Sequence, residues 1–126
     1  MLTNKEGQKI PQVIFPTQQN NQWVNVTTEE LFAGKKVIVF ALPGAFTPTC
    51  STTHLPRYNE LAPVFAKEGV DSIICLSVND AFVMDAWGKA HHAGDAVMMA
   101  ADGNAEFTRA LGLEFDASGF GMGVRA

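Results

Sequence analysis

Apolar residues recur along this chain in two rhythms. Short runs of strand length, Val13–Phe15, Trp23–Val26, Val37–Leu42, Ser72–Val78 and Val97–Ala101, are separated by stretches with helical spacing. Pro16 is expected to close the first strand, and Gln18–Asn21 supplies turn residues before the second. Thr28–Gly34 reads as a short helix with Thr28 as its N-cap, Glu29 and Glu30 at the positive end and Gly34 as its stop. Val37–Leu42 is continuously apolar and predicts a fully buried strand, and Ser72–Val78 predicts another. A loop rich in Gly, Pro and Thr then leads into a helical stretch reaching about Lys67. Pro56 should begin its second piece, Pro63 should cost it a bond or a kink, and Gly69 should end it. Asp80 is placed to cap a helix running to about His91, and Asn104 one ending at Gly112, while Leu113–Ala126 reads as loop. Strands alternating with helices predict an α/β domain with a largely parallel sheet.

Composition narrows the function classes. The 126 residues make one domain, and 47% hydrophobic against 17% charged residues excludes a disordered chain. Nine basic against thirteen acidic residues give a net charge of −4, which argues against a nucleic-acid partner. No apolar run approaches the ~20 residues of a membrane helix, and Met1–Lys9 carries no signal-like apolar stretch. Two cysteines are no disulfide framework, so a reducing, cytoplasmic setting is expected.

The chemistry concentrates in Pro43–Cys50. This loop follows a strand and opens a helix, and in open α/β sheets ligands bind beyond the carboxyl ends of the strands. A cysteine in the first turn of a helix meets unpaired N–H groups and the positive dipole end, which favour the thiolate. An unperturbed thiol with a pKa of ~8.5 is only about 3% thiolate at pH 7. Position alone leaves Cys50 either a reactive thiolate or a small apolar residue. Thr47 and Thr53 stand three residues to either side, so there is no Cys-x-x-Cys dithiol. A threonine three residues upstream offers a hydroxyl to the sulfur or to a bound oxygen.

Pro43, Thr47 and Cys50 together resemble the peroxiredoxin signature: proline, three residues, threonine, two residues, attacking cysteine. Residues 40–51, 53–61, 76–90, 111–115 and 121–125 extend the resemblance, which is strongest to the peroxiredoxin-5 branch and to the peroxiredoxin half of hybrid peroxiredoxin–glutaredoxin proteins. It implies a thioredoxin-like fold and a thiol peroxidase that needs no cofactor or metal. Cys50 would attack hydrogen peroxide or an organic hydroperoxide and become a sulfenic acid. Thr47 would bond the peroxide oxygens, Pro43 would shield the sulfur from water, and Arg125 would stabilise the thiolate and orient the peroxide. Thr49 and Phe46 would line the substrate position, with backbone N–H donors at Thr49 and Cys50. Phe46 and Trp87 would lie near the contact of a homodimer.

Other readings of the same residues are simpler. His54 shares a helical face with Cys50, but two ligands are too few for zinc, which leaves it a supporting or core histidine. His91 and His92 fall on different helix faces and read as surface residues. Gly119–Gly123 is glycine-rich but does not lie between a strand and a helix, so it is no nucleotide loop. Cys75, in a predicted central strand, reads as structural, so an external thiol, glutathione or a glutaredoxin, would reduce the sulfenic acid. The family continues after Arg125 with a β-hairpin and a helix. A domain incomplete at its C-terminus is therefore expected, with Arg125 short of anchoring and exposed strand edges open to association. From that expectation comes the competing reading, a non-catalytic assembly or interaction module. A disulfide oxidoreductase is disfavoured by the missing Cys-x-x-Cys.

Overall fold

The computed structural model describes residues 4–48, 55–91 and 96–126, and among these described residues lie seven strands and four α-helices. A hairpin of β1 (Ile14–Gln19) and β2 (Gln22–Thr27) comes first. Asn20 and Asn21 both have positive φ, 51° and 63°, as a two-residue type I′ hairpin turn requires. The turn is therefore tighter than Gln18–Asn21. Pro16 does not close the strand but lies inside it, opposite Asn25, because a two-stranded ribbon leaves one side of β1 with no ladder to break. Helix α1 (Thr28–Phe32) follows at once. Its N-cap is Thr27, whose hydroxyl accepts from Glu30 N at 3.2 Å. Thr28 is instead buried, and its Oγ1 accepts from Val13 N at 3.2 Å, tying the helix start to the hairpin.

The centre is a three-stranded parallel sheet of β3 (Val37–Ala41), β4 (Ser72–Ser77) and β5 (Met98–Ala101), with β4 in the middle. Side chains alternate across β4. Ile73 and Cys75 enter a core with Phe40, Leu42, Leu55, Met84, Trp87 and Val97. Ile74 and Leu76 enter the opposite one with Val13, Phe15, Leu31, Ala100 and Phe107. β4 is thus buried on both faces, as its run predicts. β3 is not: Val39 is 36% exposed, because an outer strand is covered by neighbours on fewer sides.

Helix α2 (Leu55–Lys67) continues through Pro63, and its Tyr58 stacks on Phe40 of β3 with ring centroids 3.8 Å apart. The first helical piece expected before Pro56 lies outside the described residues. Gly69, at φ 88°, ends the helix as its position predicts. Helix α3 (Ala81–Ala90) is capped by Asp80, whose carboxylate accepts from Val83 N at 2.9 Å. Trp87 and Met84 of this helix are buried inside the subunit. Among the described residues no helix is long and apolar enough to cross a membrane.

Helix α4 (Glu106–Ala110) departs from expectation at its start. Asn104 does not cap it, and the N-cap position is Ala105, in a left-handed conformation. The amides are served from β5's end instead. Buried Asp102 accepts from Phe107 N (3.2 Å), Thr108 N (2.8 Å) and the Thr108 hydroxyl (2.7 Å). Asp102→Ala is expected to cost at least about 2 kcal/mol in a urea unfolding experiment, because three donors lose their acceptor, two of them on fully enclosed Thr108. A loss below about 0.5 kcal/mol would put it with ordinary surface changes.

The C-terminal stretch is not loop. β6 (Phe115–Asp116) and β7 (Val124–Arg125) pair antiparallel around one turn of 3-10 helix at Ser118–Phe120. The Ser118 hydroxyl, and then the Ser118 N–H, hold the Asp116 carboxyl below the usual carboxylate range.

Candidate functional site

The end of β3 runs directly into the chemically interesting loop. Leu42 carries the ladder one residue further, its N–H donating to Leu76 O at 3.2 Å, and its side chain is fully buried. Pro43 then emerges exposed and Gly44 dips back into the protein. The Thr47 hydroxyl donates to Gly44 O at 2.7 Å and closes the loop on itself. Between them Phe46 takes φ 64° and is 55% exposed. A left-handed non-glycine residue costs about 1–3 kcal/mol and persists only where its surroundings hold it. The surroundings are visible: Ala45 N donates to Asn79 Oδ1 at 3.0 Å, and the Ser77 hydroxyl donates to the same oxygen at 2.6 Å.

Arg125 reaches this loop from the other end of the sequence. β7 fixes its backbone opposite Phe115. Its Nε donates to Met122 O at 3.0 Å, and its Nη1 to Pro43 O at 3.4 Å across 82 residues of sequence. Arg125 is half-buried and its guanidinium is tied at two points, so the expectation of an unanchored terminal arginine is corrected. The short β6–β7 hairpin, which the sequence reading missed, provides the anchorage.

Gly44 marks where these groups meet. A Cβ added there would stand 3.1 Å from Arg125 Nη1, 3.3 Å from Thr47 Cγ2 and 3.5 Å from Met122 Cε. A larger residue there would require the guanidinium or the threonine to give way by a few tenths of an ångström. The fold therefore brings together Pro43, Thr47 and Arg125, three of the residues singled out by sequence, with Phe46 at the rim. Thr49, Cys50 and His54 lie outside the described residues, as does His92. Cys75 is fully enclosed in the central strand, opposite Phe40 on one side and Met99 on the other. His91 is half-buried, with its ring edge-on to Trp87 at 5.6 Å.

Three residues of the site, Ser77, Asn79 and Met122, lie within the stretches that carry the resemblance but were assigned no role of their own. Position offered a further clue, since Ser77 closes β4 and Asn79 follows at its carboxyl end.

Residues 5–126 match the family model described as Redoxin. A relative from Haemophilus influenzae, the hybrid peroxiredoxin hyPrx5, is 55% identical over 125 residues, covering 99% of this chain and 52% of its own length. Peroxiredoxin sll1621 of Synechocystis is 50% identical over 128 residues, covering 94% of this chain and 67% of its own. The chain thus spans about half the length of the hybrid relative. Among solved structures, reduced Prx3 of Vibrio vulnificus in complex with hydrogen peroxide superposes with a TM-score of 0.92 at 50% identity, over 98% of this chain and 77% of that one. Peroxiredoxin 5 of Alvinella pompejana gives 0.86 at 38% identity, over 98% and 79%.

Proposed function

The chain belongs to the redoxin family and, within it, to the peroxiredoxins, and from that membership we propose that it is a thiol-dependent peroxidase acting on hydrogen peroxide or alkyl hydroperoxides through Cys50. The observation that carries the reading is the meeting of Arg125 and Thr47 over Gly44, in the loop that leads to Cys50. The Cys50 thiolate attacks one peroxide oxygen. An S–O bond forms as the O–O bond breaks, and the leaving oxygen takes a proton and departs as water or alcohol. The guanidinium, permanently charged, favours both the thiolate and the charge growing on the leaving oxygen. The Thr47 proton is committed to the Gly44 carbonyl, so toward the peroxide its oxygen acts as an acceptor for the O–H of the substrate. That refines the donor role expected from the sequence.

The resulting sulfenic acid is reduced by an external thiol, glutathione or a glutaredoxin. Supporting this is the burial of Cys75 in the middle strand, where it is not presented to solvent or to the loop's exposed rim. Thiol attack on the sulfenic sulfur expels water and leaves a mixed disulfide, which a second thiol resolves. A cytoplasmic setting fits such a reductant, and exposed Phe46, Phe82 and Phe120 fit a homodimer.

A stopped-flow measurement with hydrogen peroxide tests the reading. Cys50 should be oxidised at least about a hundredfold faster than cysteine in solution, since oriented donors acting on the transition state contribute on that scale. A rate equal to that of cysteine would overturn the peroxidase and leave an assembly module.

A further inference from the structure

We propose that Asn79 is a positioning residue of the peroxide site, locking the 43–47 loop from the β4 side so that Thr47 is held toward the substrate; this rests on the peroxidase reading. The argument begins with a single oxygen. Asn79 Oδ1 accepts from Ala45 N at 3.0 Å and from the Ser77 hydroxyl at 2.6 Å. Two donors converging on one atom demand an acceptor, so the carboxamide must present its oxygen, and not its NH2, to the loop. Ser77 is fully buried, and its Oγ also lies 3.3 Å from Leu42 O, on the residue from which the loop departs. Asn79 thus grips the loop at residue 45, and Ser77, whose one proton goes to the shorter contact, braces the Asn79 oxygen from beside residue 42.

The grip falls where the backbone needs it. Thr47 is tied back to Gly44 O by its hydroxyl at 2.7 Å, and Ala45 is tied outward to Asn79. Phe46 lies between these two attachments with φ 64°, a conformation that a phenylalanine leaves when it can. Releasing the Ala45 amide lets Phe46 relax, and a changed φ at 46 re-aims the next residue, Thr47. Asn79 has a firm base from which to act. A Cβ on Gly103 would stand 3.5 Å from Asn79 O and 3.6 Å from Asp80 Cα, so the end of β5 packs closely under this segment. Asp102 N donates to Ser77 O at 2.9 Å, and Asp80 is committed to the α3 N-terminus. A rigid second layer of this kind is what holds reacting groups to within a fraction of an ångström.

Asn79→Ala and Asn79→Asp separate positioning from simple support. In Asn79→Ala, Ala45 amide hydrogen exchange should lose its protection, and the peroxide rate constant of Cys50 should fall at least about tenfold, as misplacement of a substrate-orienting group does. Iodoacetamide alkylation of Cys50, which needs a thiolate but no oriented peroxide, should change by less than about twofold. Asn79→Asp keeps the acceptor. It should keep Ala45 protected and, once corrected for the thiolate fraction from the alkylation pH profile, a peroxide rate within about twofold of wild type. Equal loss of peroxide and alkylation rates in Asn79→Ala would overturn positioning, as would an unchanged peroxide rate with Ala45 deprotected. Should Asn79→Ala not fold, loss of Ala45 protection or of the corrected rate in Asn79→Asp would overturn it equally. A wild-type rate no better than cysteine would instead strike the peroxidase reading, while the amide-exchange arm would still report on the lock.

Discussion

Cys50→Ser is expected to abolish peroxide consumption outright, while Cys75→Ser keeps a full first turnover. Only a thiolate is nucleophilic enough to break the O–O bond at neutral pH; an alcohol at the same position holds its proton. Dimedone should trap one equivalent of sulfenic acid in Cys75→Ser and none in Cys50→Ser. The second half of the prediction follows from burial. Cys75 pairs with Phe40 and Met99 in the middle of the parallel sheet, within a core built from Leu42, Met84 and Trp87. A disulfide requires Cα atoms within about 7 Å, and a central strand cannot swing out without unmaking both ladders. Serine at 75 places a hydroxyl in an apolar core at a cost of about 1–3 kcal/mol, so the comparison is made per folded molecule. Steady turnover with glutathione should then survive Cys75→Ser. Its loss would make Cys75 the internal resolving thiol and remove the need for an external one.

The legible parts of this fold were those governed by periodicity. β4 reads as buried because its run is apolar on both faces, and both faces are in fact covered. Asp80 reads as a cap because its side chain bonds within four residues of itself, a purely local matter. Capping failed where a distant group competed. Thr28 was drawn away by the Val13 amide, fifteen residues back, which left Thr27 to cap α1. Asn104 lost α4 to Asp102, whose carboxylate lies at the carboxyl end of β5 and reaches across the turn. The site shows the same division. Pro43, Thr47 and Cys50 stand in one stretch and their spacing carries meaning. Asn79 acts through one acceptor on a loop 34 residues earlier, a relation no local pattern encodes. Arg125 was legible by resemblance alone. Its anchorage depends on a hairpin of two-residue strands, too short to generate a period.

Arg125→Ala is expected to lower the peroxide rate constant by about 10²–10³, the scale of removing a preorganised donor from an oxyanion-type site. The fold should survive, because Arg125 contributes to β7 through its backbone, opposite Phe115, and alanine keeps that pairing. What alanine loses is a bridge. The guanidinium spans Met122 O and Pro43 O at once, with its Nη1 beside the buried face of Gly44. Of its five N–H groups these two bonds use two, and the planar fork directs others from a fixed frame. Arg125→Lys tests whether charge or geometry matters more. A lysine ammonium supplies the charge as a point on a flexible stem but cannot reproduce the bridge. Cys50 alkylation, which reads the thiolate, should therefore recover in Arg125→Lys further than the peroxide rate, which also reads orientation. Equal recovery of both would make Arg125 a charge alone. An alanine variant with unchanged peroxide and alkylation rates would remove it from the site.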